Sequence, residues 1–342
     1  NSPVFDTKQY IKIIQESALT RAVKEAAGMI LDSDLHGENL LSQAQTDILG
    51  VQSSVQEDAI RPVRDIILSH IERIERANST EEQSGYKTGF PGIDRNLKVG
   101  DAKLIFVAAR PGMGKTSFAV TVARNFDKQQ IPVGFLSIEM PESEIIDRWL
   151  SMESGVDLSL FGKYGELNRE QIQNINDAAA VLYDSQLQID ASGSLDITDV
   201  ERKCRKMVKA GCKVLFIDQL NQIKNRQTSG TLERTTENIM RLSCLKKELN
   251  TPIILLHQLN RDAKFRSNKE PLISDLKDSG RAEEDADAVL FVYRPEVDAP
   301  DSEKPALSGL AIIDLAKNRQ GPVYKDKRIM FRHETTYFYQ GM

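Results

Sequence analysis

Hydrophobic positions in the first 77 residues recur at the spacing of α-helices. Between residues 7 and 52, apolar side chains return every three or four positions, which predicts helical structure. A second apolar stripe predicts one amphipathic helix over about residues 59–77 and comprises Ile60, Val63, Ile66, Ile67, Ile71 and Ile74. Two partners are open for this stripe, its own domain and a neighbouring subunit. The polar, glycine-containing residues 78–85 predict a linker.

From about residue 88, short and nearly continuous apolar runs alternate with helical patterns. The five runs cover residues 104–108, 132–138, 214–217, 252–257 and 288–293. Such runs predict an α/β fold whose mostly parallel central sheet is covered by helices on both faces. After residue 305 the helical patterns stop. Runs at 310–316, 327–331 and 336–339 then predict C-terminal antiparallel strands, with a turn at Gly321 and Pro322.

These patterns divide the chain into three parts. We expect a helical segment over 1–53, a linker helix with its linker over 54–85, and an α/β domain over 86–342. The chain begins with Asn1 rather than Met, which predicts a processed or truncated fragment. No apolar stretch approaches the roughly 20 residues that a transmembrane helix needs, and the N-terminus lacks a signal-peptide pattern, so no membrane partner is expected.

Composition and charge narrow the possible partners. The three cysteines show no C-x-x-C spacing and the four histidines are scattered. A disulfide scaffold and a zinc site are therefore not expected, and a reducing cytoplasm is the expected compartment. Of the net charge of −5, residues 1–85 carry −6, so the remainder sums to +1. Any nucleic acid must then be bound by a few local cations rather than by bulk basicity.

A phosphate-binding loop follows the apolar run 104–108. Backbone N–H groups of such a turn converge on a β-phosphate, and the helix N-terminus adds partial positive charge. In this pattern Lys115 reaches the β- and γ-phosphates and the Thr116 hydroxyl suits Mg²⁺. Ala109 replaces the first glycine of the usual pattern. The predicted nucleotide-binding residues are Arg110, Pro111, Gly112, Met113, Gly114, Lys115, Thr116 and Ser117.

Polar side chains at the ends of three apolar runs are candidate catalytic groups. Asp218 ends the run 214–217, where a carboxylate beside a phosphate-binding loop can support Mg²⁺. Glu139 follows another run and is either the base that activates water or a cap of the next helix. Gln258 follows a third run and can sense a γ-phosphate through its amide, while His257 is expected to be structural.

Three further segments of the chain carry closely spaced Lys and Arg residues. Residues 202–213 follow a capping-box pattern that begins at Thr198, which predicts a solvated helix face. Lys317 and Arg319 lie two positions apart just before the predicted turn, so both can project toward one phosphate, although an ordinary role in a hairpin is more common for such a pair. The long, weakly periodic segment 259–281 suits contact with a phosphate backbone. Its cations are Arg261, Lys264, Arg266, Lys269, Lys277 and Arg281.

Taken together, these segments resemble the DnaB family of replicative DNA helicases. The resemblance rests on motifs in family order: AARPGMGKT at 108–116, SIEMP at 137–141, FIDQL at 216–220, HQLNR at 257–261, SDLKDSG at 274–280, EDAD at 284–287, YR at 293–294 and KNRQGP at 317–322. Residues 59–77 resemble the family's linker helix. Residues 7–52 resemble the last helices of its N-terminal domain, which is otherwise missing. The chain departs from the family at Gln219 and His257, where Tyr and Ser are frequent.

The resemblance implies a RecA-like P-loop ATPase that uses ATP and Mg²⁺ and forms a homo-hexameric ring. Such a ring encloses single-stranded DNA, unwinds duplex 5′ to 3′, and works with a primase and a helicase loader. Glu139 would activate water, Gln258 would couple hydrolysis to DNA, and Lys317 and Arg319 would reach into the neighbouring subunit's site. The positions that match the family's DNA-contacting residues are Arg261, Lys277, Asp278 and Gly280.

Two other functions share parts of this pattern. A recombinase-like ATPase that forms filaments on DNA would also carry the phosphate-binding loop and the carboxylates, but SDLKDSG and the linker helix favour the helicase. A non-enzymatic module in which ATP only joins subunits would not need both Glu139 and Arg319. The sequence therefore predicts an ATP-dependent DNA helicase.

Overall fold

The computed structural model describes residues 85–341 except 101, 164, 226, 227, 229, 260–265, 267, 268 and 280, together with scattered positions between 17 and 71. The chain divides into two compact units, Asn1–Gln83 and Ser84–Met342. In the first unit, residues 23–31 are helical, as are Val63, Ile67 and Ile71. The other members of the predicted stripe, Ile60, Ile66 and Ile74, lie outside the described residues.

The second unit is built on a nine-stranded sheet. Its strands are β1 (Leu104–Ala109), β2 (Val133–Ser137), β3 (Leu187–Asp190), β4 (Val214–Asp218), β5 (Ile253–Gln258), β6 (Ala288–Tyr293), β7 (Leu310–Asn318), β8 (Tyr324–Arg332) and β9 (Tyr337–Gln340). They lie in the order β3-β2-β4-β5-β1-β6-β7-β8-β9. The first six are parallel, and β7, β8 and β9 continue the sheet antiparallel. The predicted combination of parallel and antiparallel strands is confirmed.

Helices cover both faces of this sheet. They are α1 (Pro91–Asn96), α2 (Lys115–Lys128), α3 (Glu142–Ser154), α4 (Arg169–Tyr183), α5 (Ile197–Lys209), α6 (Thr231–Leu249), α7 (Ala282–Asp285), α8 (Pro295–Asp298) and α9 (Lys304–Leu307). Short 3-10 helices cover Leu158–Leu160, Leu220–Gln222 and Ile273–Ser279. Helix α5 is capped by Asp196, whose side chain accepts from the Thr198 N–H. The capping box expected at Thr198 is therefore wrong, because Asp196 supplies the acceptor two residues earlier.

The apolar runs are continuous because the sheet is buried on both sides. In β1, Ile105 and Val107 belong to one core cluster, while Leu104 and Phe106 belong to the other. Successive strand residues point to opposite faces, so a strand covered twice needs apolar side chains at every position. All six residues of β1 are buried.

Parallel strands place their carboxyl ends at one edge of the sheet. The segments that follow β1, β2, β4 and β5 therefore meet there, and they carry the phosphate-binding loop, Glu139, Asp218 and Gln258. Ligand sites in open α/β sheets lie at this edge. No helix among the described residues has the length and apolar character that crossing a membrane requires.

Candidate nucleotide-binding site

The turn between β1 and α2 has the backbone of a phosphate-binding loop. Gly112 and Gly114 have φ of 80° and 89°, a region that L side chains rarely adopt. At Gly114 an added Cβ would also lie 3.0 Å from the Phe338 ring. Ala109, by contrast, is the last residue of β1 and is buried within the strand. A glycine is not required at that position, so its replacement does not disturb the loop.

Lys115 and Thr116 open helix α2 and meet the buried carboxylate of Asp218. Lys115 Nζ lies 3.1 Å from Asp218 Oδ1, and the Thr116 hydroxyl donates to Asp218 Oδ2 at 2.9 Å. Lys115 Nζ also donates to Gln219 Oε1 at 2.5 Å. Asp218 is fully buried at the end of β4, so these bonds replace the water that its charge would otherwise hold.

These contacts suit a nucleotide that binds with a divalent cation. Among the described residues, no group of three or more His, Cys, Asp or Glu side chains is arranged to hold a metal ion without other ligands. A magnesium ion would need phosphate oxygens and water in addition to protein oxygens. The Thr116 hydroxyl and the Asp218 carboxylate, already adjacent at the loop, are hard oxygen donors of the type that Mg²⁺ prefers.

Glu139 lies in the segment between β2 and α3 and is exposed. Helix α3 is preceded by Pro141 at its N-cap and has no side-chain cap. Glu139 therefore does not cap the helix, which removes the structural alternative left open by the sequence. The Ile138 N–H donates to the Asp218 carbonyl at 2.5 Å, which ties the segment that carries Glu139 to the end of β4.

A cleft of about 590 Å³ joins these groups. It is lined by the loop residues 109–112 and 114–117, by Glu139, Met140, Glu144 and Arg148, and by Gln258, Arg294, Phe331 and Thr336. Four of the predicted groups, Lys115, Thr116, Glu139 and Gln258, thus share one cavity. Gln258 ends β5, and its N–H donates to Asn221 Oδ1 at 3.3 Å. His257 is buried against Phe106 instead of lining the cleft.

Arg148 is a cleft residue that the sequence did not reveal. Its Nη1 lies 3.1 Å from Ser117 Oγ and 3.3 Å from Thr336 Oγ1. Burial lowers the pKa of Arg148, although Glu144 and Asp218 act in the opposite direction. Arginine keeps its charge under such a shift, so the cleft holds a second cation beside Lys115. A single arginine within a helix carries no motif that would have indicated this position.

Arg294 forms another wall of the cleft. Its guanidinium carbon lies 4.1 Å from the centre of the Phe331 ring, and its Nη2 donates to Glu296 Oε1 at 2.6 Å. Glu296 also lies 3.0 Å from His333 Nε2. Burial alone would raise the pKa of Glu296, but its bonds with Arg294 and with the Gly309 N–H lower it. The result is a cationic and aromatic wall of the cleft next to the loop.

The loop residues differ in the direction of their side chains. Pro111 and Gly112 are exposed to the cleft, whereas Met113 is buried beneath it. The side chain of Arg110 is fully buried and pairs with Asp298 of α8. Arg110 therefore contributes its backbone to the loop while its guanidinium group faces away from the phosphate position.

Lys317 and Arg319 lie at the opposite edge of the sheet. Lys317 pairs in register with Val289 near the start of β6, and the Arg319 N–H donates to the Asp287 carbonyl at 2.8 Å. Strand β1 is parallel to β6 and rises about 3.3 Å per residue, so along the strand Arg319, level with Leu104, lies about 17 Å from the end of β1, and Lys317, level with Phe106, lies about 10 Å from it. They do not reach the cleft of their own chain.

Both cations rest on the segment before β6. Arg319 donates to the Glu284 carbonyl at 2.8 Å and lies 3.3 Å from Asp287 Oδ1, yet its side chain is 54% exposed. Lys317 donates to the Glu283 and Glu284 carbonyls. Burial and then the charge of Arg319 lower the pKa of Lys317. The two side chains share one side of the chain, as their spacing predicted.

The predicted DNA-contacting residues are only partly within the described structure. Arg261 and Gly280 lie outside the described residues. Lys277 and Asp278 belong to the 3-10 helix Ile273–Ser279, but their side chains are not described. Their roles stay predictions.

Comparisons with known proteins agree on one family. A family model described as the DnaB-like helicase C-terminal domain matches residues 85–340. The replicative DNA helicase DnaB of Geobacillus stearothermophilus is 31% identical over 328 residues, which covers 93% of this chain and 71% of that protein. The replicative DNA helicase DnaC of Bacillus subtilis is 31% identical over 325 residues, with 92% and 70% covered.

Solved structures give the same fold. One solved ATPase domain superposes with a TM-score of 0.76 at 25% identity and covers 84% of this chain and 100% of that domain. A DnaB-like replicative helicase, solved in a study of its interactions with primase, superposes with a TM-score of 0.78 at 23% identity. That match covers 99% of this chain and 80% of the other. The fold of residues 84–342 is that of RecA-like ATPase domains, as the motifs predicted.

Proposed function

Because this chain belongs to the DnaB-like helicase C-terminal domain family and is an ATP-dependent replicative DNA helicase, we propose how its residues bind ATP, hydrolyse it and meet DNA. The contacts within the cleft and at the opposite edge of the sheet support each step.

ATP binds at the turn between β1 and α2. The loop N–H groups and Lys115 bind the β- and γ-phosphates, and Arg148 adds a second cation to the same cleft. Thr116 and Asp218 would hold Mg²⁺, which would neutralise part of the phosphate charge when bound. The wall formed by Arg294 and Phe331 adds a third cation to the side of the cleft next to the loop.

Glu139 acts as the general base. A water molecule attacks the γ-phosphorus, its proton passes to the Glu139 carboxylate, and the bond from the γ-phosphorus to the β–γ bridging oxygen breaks to leave ADP and phosphate. Glu139 is exposed in the cleft, and no hydrogen bond holds it among the described residues. Gln258 lines the same cleft at the end of β5 and senses the γ-phosphate through its amide.

The separation between Glu139 and the cations Lys317 and Arg319 is the observation that carries this proposal. In one chain, Glu139 lies at the carboxyl edge of the parallel strands without Lys317 or Arg319 beside it. These two cations lie at the opposite edge, where no proposed base is present. Two neighbouring copies supply both halves of one site, so ATP lies between subunits of a closed homo-hexamer. Val63, Ile67 and Ile71, helical and exposed at four-residue spacing, support docking of the linker helix on a neighbour.

Single-stranded DNA meets the segment after β5. The proposed contacts lie in the segment that follows the strand ending in Gln258, and they are Arg261, Lys277, Asp278 and Gly280. Because this segment continues the chain from the proposed γ-phosphate sensor, it can link hydrolysis to translocation in the 5′ to 3′ direction. A primase and a helicase loader are the proposed protein partners. The first is supported by the structural neighbour that was studied with primase.

A forked DNA substrate tests the proposal. Purified protein with ATP and Mg²⁺ should separate a duplex that carries a 5′ single-stranded tail and leave one with only a 3′ tail intact. Sedimentation with ATP, Mg²⁺ and a single-stranded oligonucleotide should give a discrete hexamer. Glu139→Gln serves as the inactive control. Long filaments, or unwinding from the 3′ tail alone, would contradict the ring helicase and favour a recombinase-like assembly.

A further inference from the structure

Arg110 is buried far more completely than its place in a nucleotide-binding loop requires. Its side chain is 0% exposed and its Nη2 donates to Asp298 Oδ2, whereas Nε and Nη1 have no hydrogen-bond partner among the described residues. The guanidinium carbon lies 5.9 Å from the centre of the Tyr293 ring. A buried guanidinium group with one anionic partner depends strongly on that partner, because nothing else balances its charge.

Asp298 faces two parts of the molecule at once. Its carboxylate accepts from Arg110, and its backbone carbonyl accepts from Lys269 Nζ at 3.2 Å. Burial, and then the negative charge of Asp298, raise the pKa of Tyr293 to about 12, so this hydroxyl stays neutral and leaves Arg110 as the charged partner. Asp298 ends the four-residue helix α8, which follows β6 and the cleft residue Arg294.

Lys269 belongs to an internally bonded part of the segment after β5. Arg266 Nη2 donates to Asp275 Oδ2 at 2.6 Å and to the Glu270 carbonyl at 3.2 Å. Glu270 in turn accepts from Lys325 of β8 at 2.8 Å. These bonds join Arg266, Glu270 and Asp275 to one another and to β8, so Lys269 lies within a bonded group that precedes Lys277 in the chain.

We propose that Asp298 is a positioning residue that couples the nucleotide-binding loop to the DNA-contacting segment, through Arg110 on one side and Lys269 on the other. A shift of the loop on ATP binding or hydrolysis displaces Arg110, and with it Asp298 and the bonded Lys269. This route is separate from Gln258, which acts along β5. The inference rests on the proposed function, since it requires that the segment after β5 contacts DNA.

Coupling between two sites is reciprocal and is measured as a ratio of affinities. The experiment compares the dissociation constants of a fluorescent oligo-dT in the presence of ADP and of a non-hydrolysable ATP analogue. Asp298→Asn keeps an oxygen acceptor for Arg110 but removes the charge. We expect its affinity ratio to fall severalfold below the wild-type ratio while the route through Gln258 keeps it above one; allosteric ratios are commonly about 5 to 150.

The matched control is Asp301→Asn, which removes an exposed carboxylate three residues away that pairs only with Lys304 among the described residues. It should retain the wild-type ratio. Lys269→Met cuts the same path from the other side while Arg110 and Asp298 stay paired. If Lys269 only bound a phosphate, its removal would weaken binding equally in both nucleotide states, so only a broken coupling changes the ratio.

Each outcome decides the matter. A folded Asp298→Asn protein with the wild-type ratio overturns the inference. If that variant does not fold, Lys269→Met decides: a ratio reduced severalfold from the wild-type value supports the coupling and an unchanged ratio overturns it. If the wild-type protein binds oligo-dT with the same affinity in ADP and in the ATP analogue, the proposed function itself is contradicted. Failure of the inference and failure of the proposed function are therefore distinguishable.

Discussion

At the scale of single residues, Lys115 must change partners when a nucleotide binds. Its ammonium group contacts Asp218 Oδ1 at 3.1 Å and Gln219 Oε1 at 2.5 Å. Phosphate oxygens compete for the same donors and carry more charge than the Gln219 amide. The Thr116 hydroxyl still donates to Asp218. One carboxylate therefore binds Lys115 before the nucleotide arrives and also orients the hydroxyl beside the proposed metal position.

Lys115→Ala and Glu139→Gln should fail in different ways. Removal of the Lys115 cation weakens nucleotide binding and abolishes hydrolysis. Glu139→Gln keeps the size of the side chain and loses only the base, so ATP still binds while kcat falls by about 10²-fold or more. Nucleotide-binding titrations and single-turnover hydrolysis measure the two effects. Wild-type turnover in Glu139→Gln would show that another group is the base.

His257 should make the fold sensitive to acid. Burial, and then the charge of Lys115, lower the pKa of His257 to about 4 from 6.5. The unfolded chain takes up a proton near pH 6.5 and the native state resists it. The contribution is therefore complete above pH 6.5 and is lost as the pH falls toward 4, by up to about 3 kcal/mol.

Denaturant unfolding between pH 7 and pH 4 measures this contribution. His257→Ser, which carries the side chain frequent in the family, should flatten the dependence of the unfolding free energy on pH, whatever its effect on stability at pH 7. His36→Ser removes an exposed histidine and should keep the wild-type dependence. An unchanged pH dependence in His257→Ser would assign the acid sensitivity to other groups.

At the scale of elements, the sheet separates the two halves of the proposed catalytic site. The loop follows the carboxyl end of β1, while Lys317 and Arg319 leave β7 beside the start of β6. Arg319 is only partly held at that edge. Its partner Asp287 also accepts from the Leu104 N–H at 2.9 Å and from Lys246. Loss of the half-exposed Arg319 pair should thus cost little stability.

Mixed oligomers test whether Arg319 acts on a neighbour. Arg319→Ala alone should be almost inactive yet bind ATP and melt near the wild-type temperature. Mixed with inactive Glu139→Gln subunits, it should recover part of the hydrolysis, because some interfaces then pair an intact Glu139 with an intact Arg319. An arginine acting in trans raises the rate roughly 10³- to 10⁵-fold. Hydrolysis should therefore be measurable even if only a few interfaces pair the two intact residues. Absence of recovery in demonstrably mixed oligomers would remove the role in trans.

At the scale of the whole molecule, charge is too evenly balanced for nonspecific binding of duplex DNA. Residues 86–342 sum to +1, so bulk charge offers little affinity for DNA. The proposed ring would bring the cationic segments of several copies to one channel. Binding should therefore depend on the same conditions that assemble the ring, namely ATP and Mg²⁺.

Salt titration of oligonucleotide binding measures this dependence. We expect selectivity for single strands, a requirement for nucleotide, and affinity that falls with salt. Lys277→Ala should weaken binding to all sequences and reduce the slope of log K against log salt by about 0.7 for each phosphate that the lysine neutralises in the wild type. Reduced affinity for particular bases only, or tight binding to duplex without ATP, would contradict binding through the phosphate backbone.

Much of the fold follows from patterns local in sequence. The apolar runs located five of the six parallel strands because doubly covered strands must be apolar throughout. Strand β3, Leu187–Asp190, was not predicted. It is a half-buried edge strand of four residues, and its apolar and polar residues are too few to give a periodic signal. Helix α2 begins at Lys115, directly after Gly114, which ends the loop.

The sequence by itself determined where the loop, the carboxylates and the cationic pair lie along the chain and predicted their chemistry, because each depends on residues close together in the chain. Only the tertiary structure decided which of them meet. Strand order brings Asp218 to Lys115 and carries Lys317 and Arg319 to the far edge of the sheet. Helix and hairpin packing adds Arg148, Arg294 and Asp298. The physical reason is that local patterns follow from backbone preference and burial, whereas these contacts join residues far apart in the chain through the packing of the sheet.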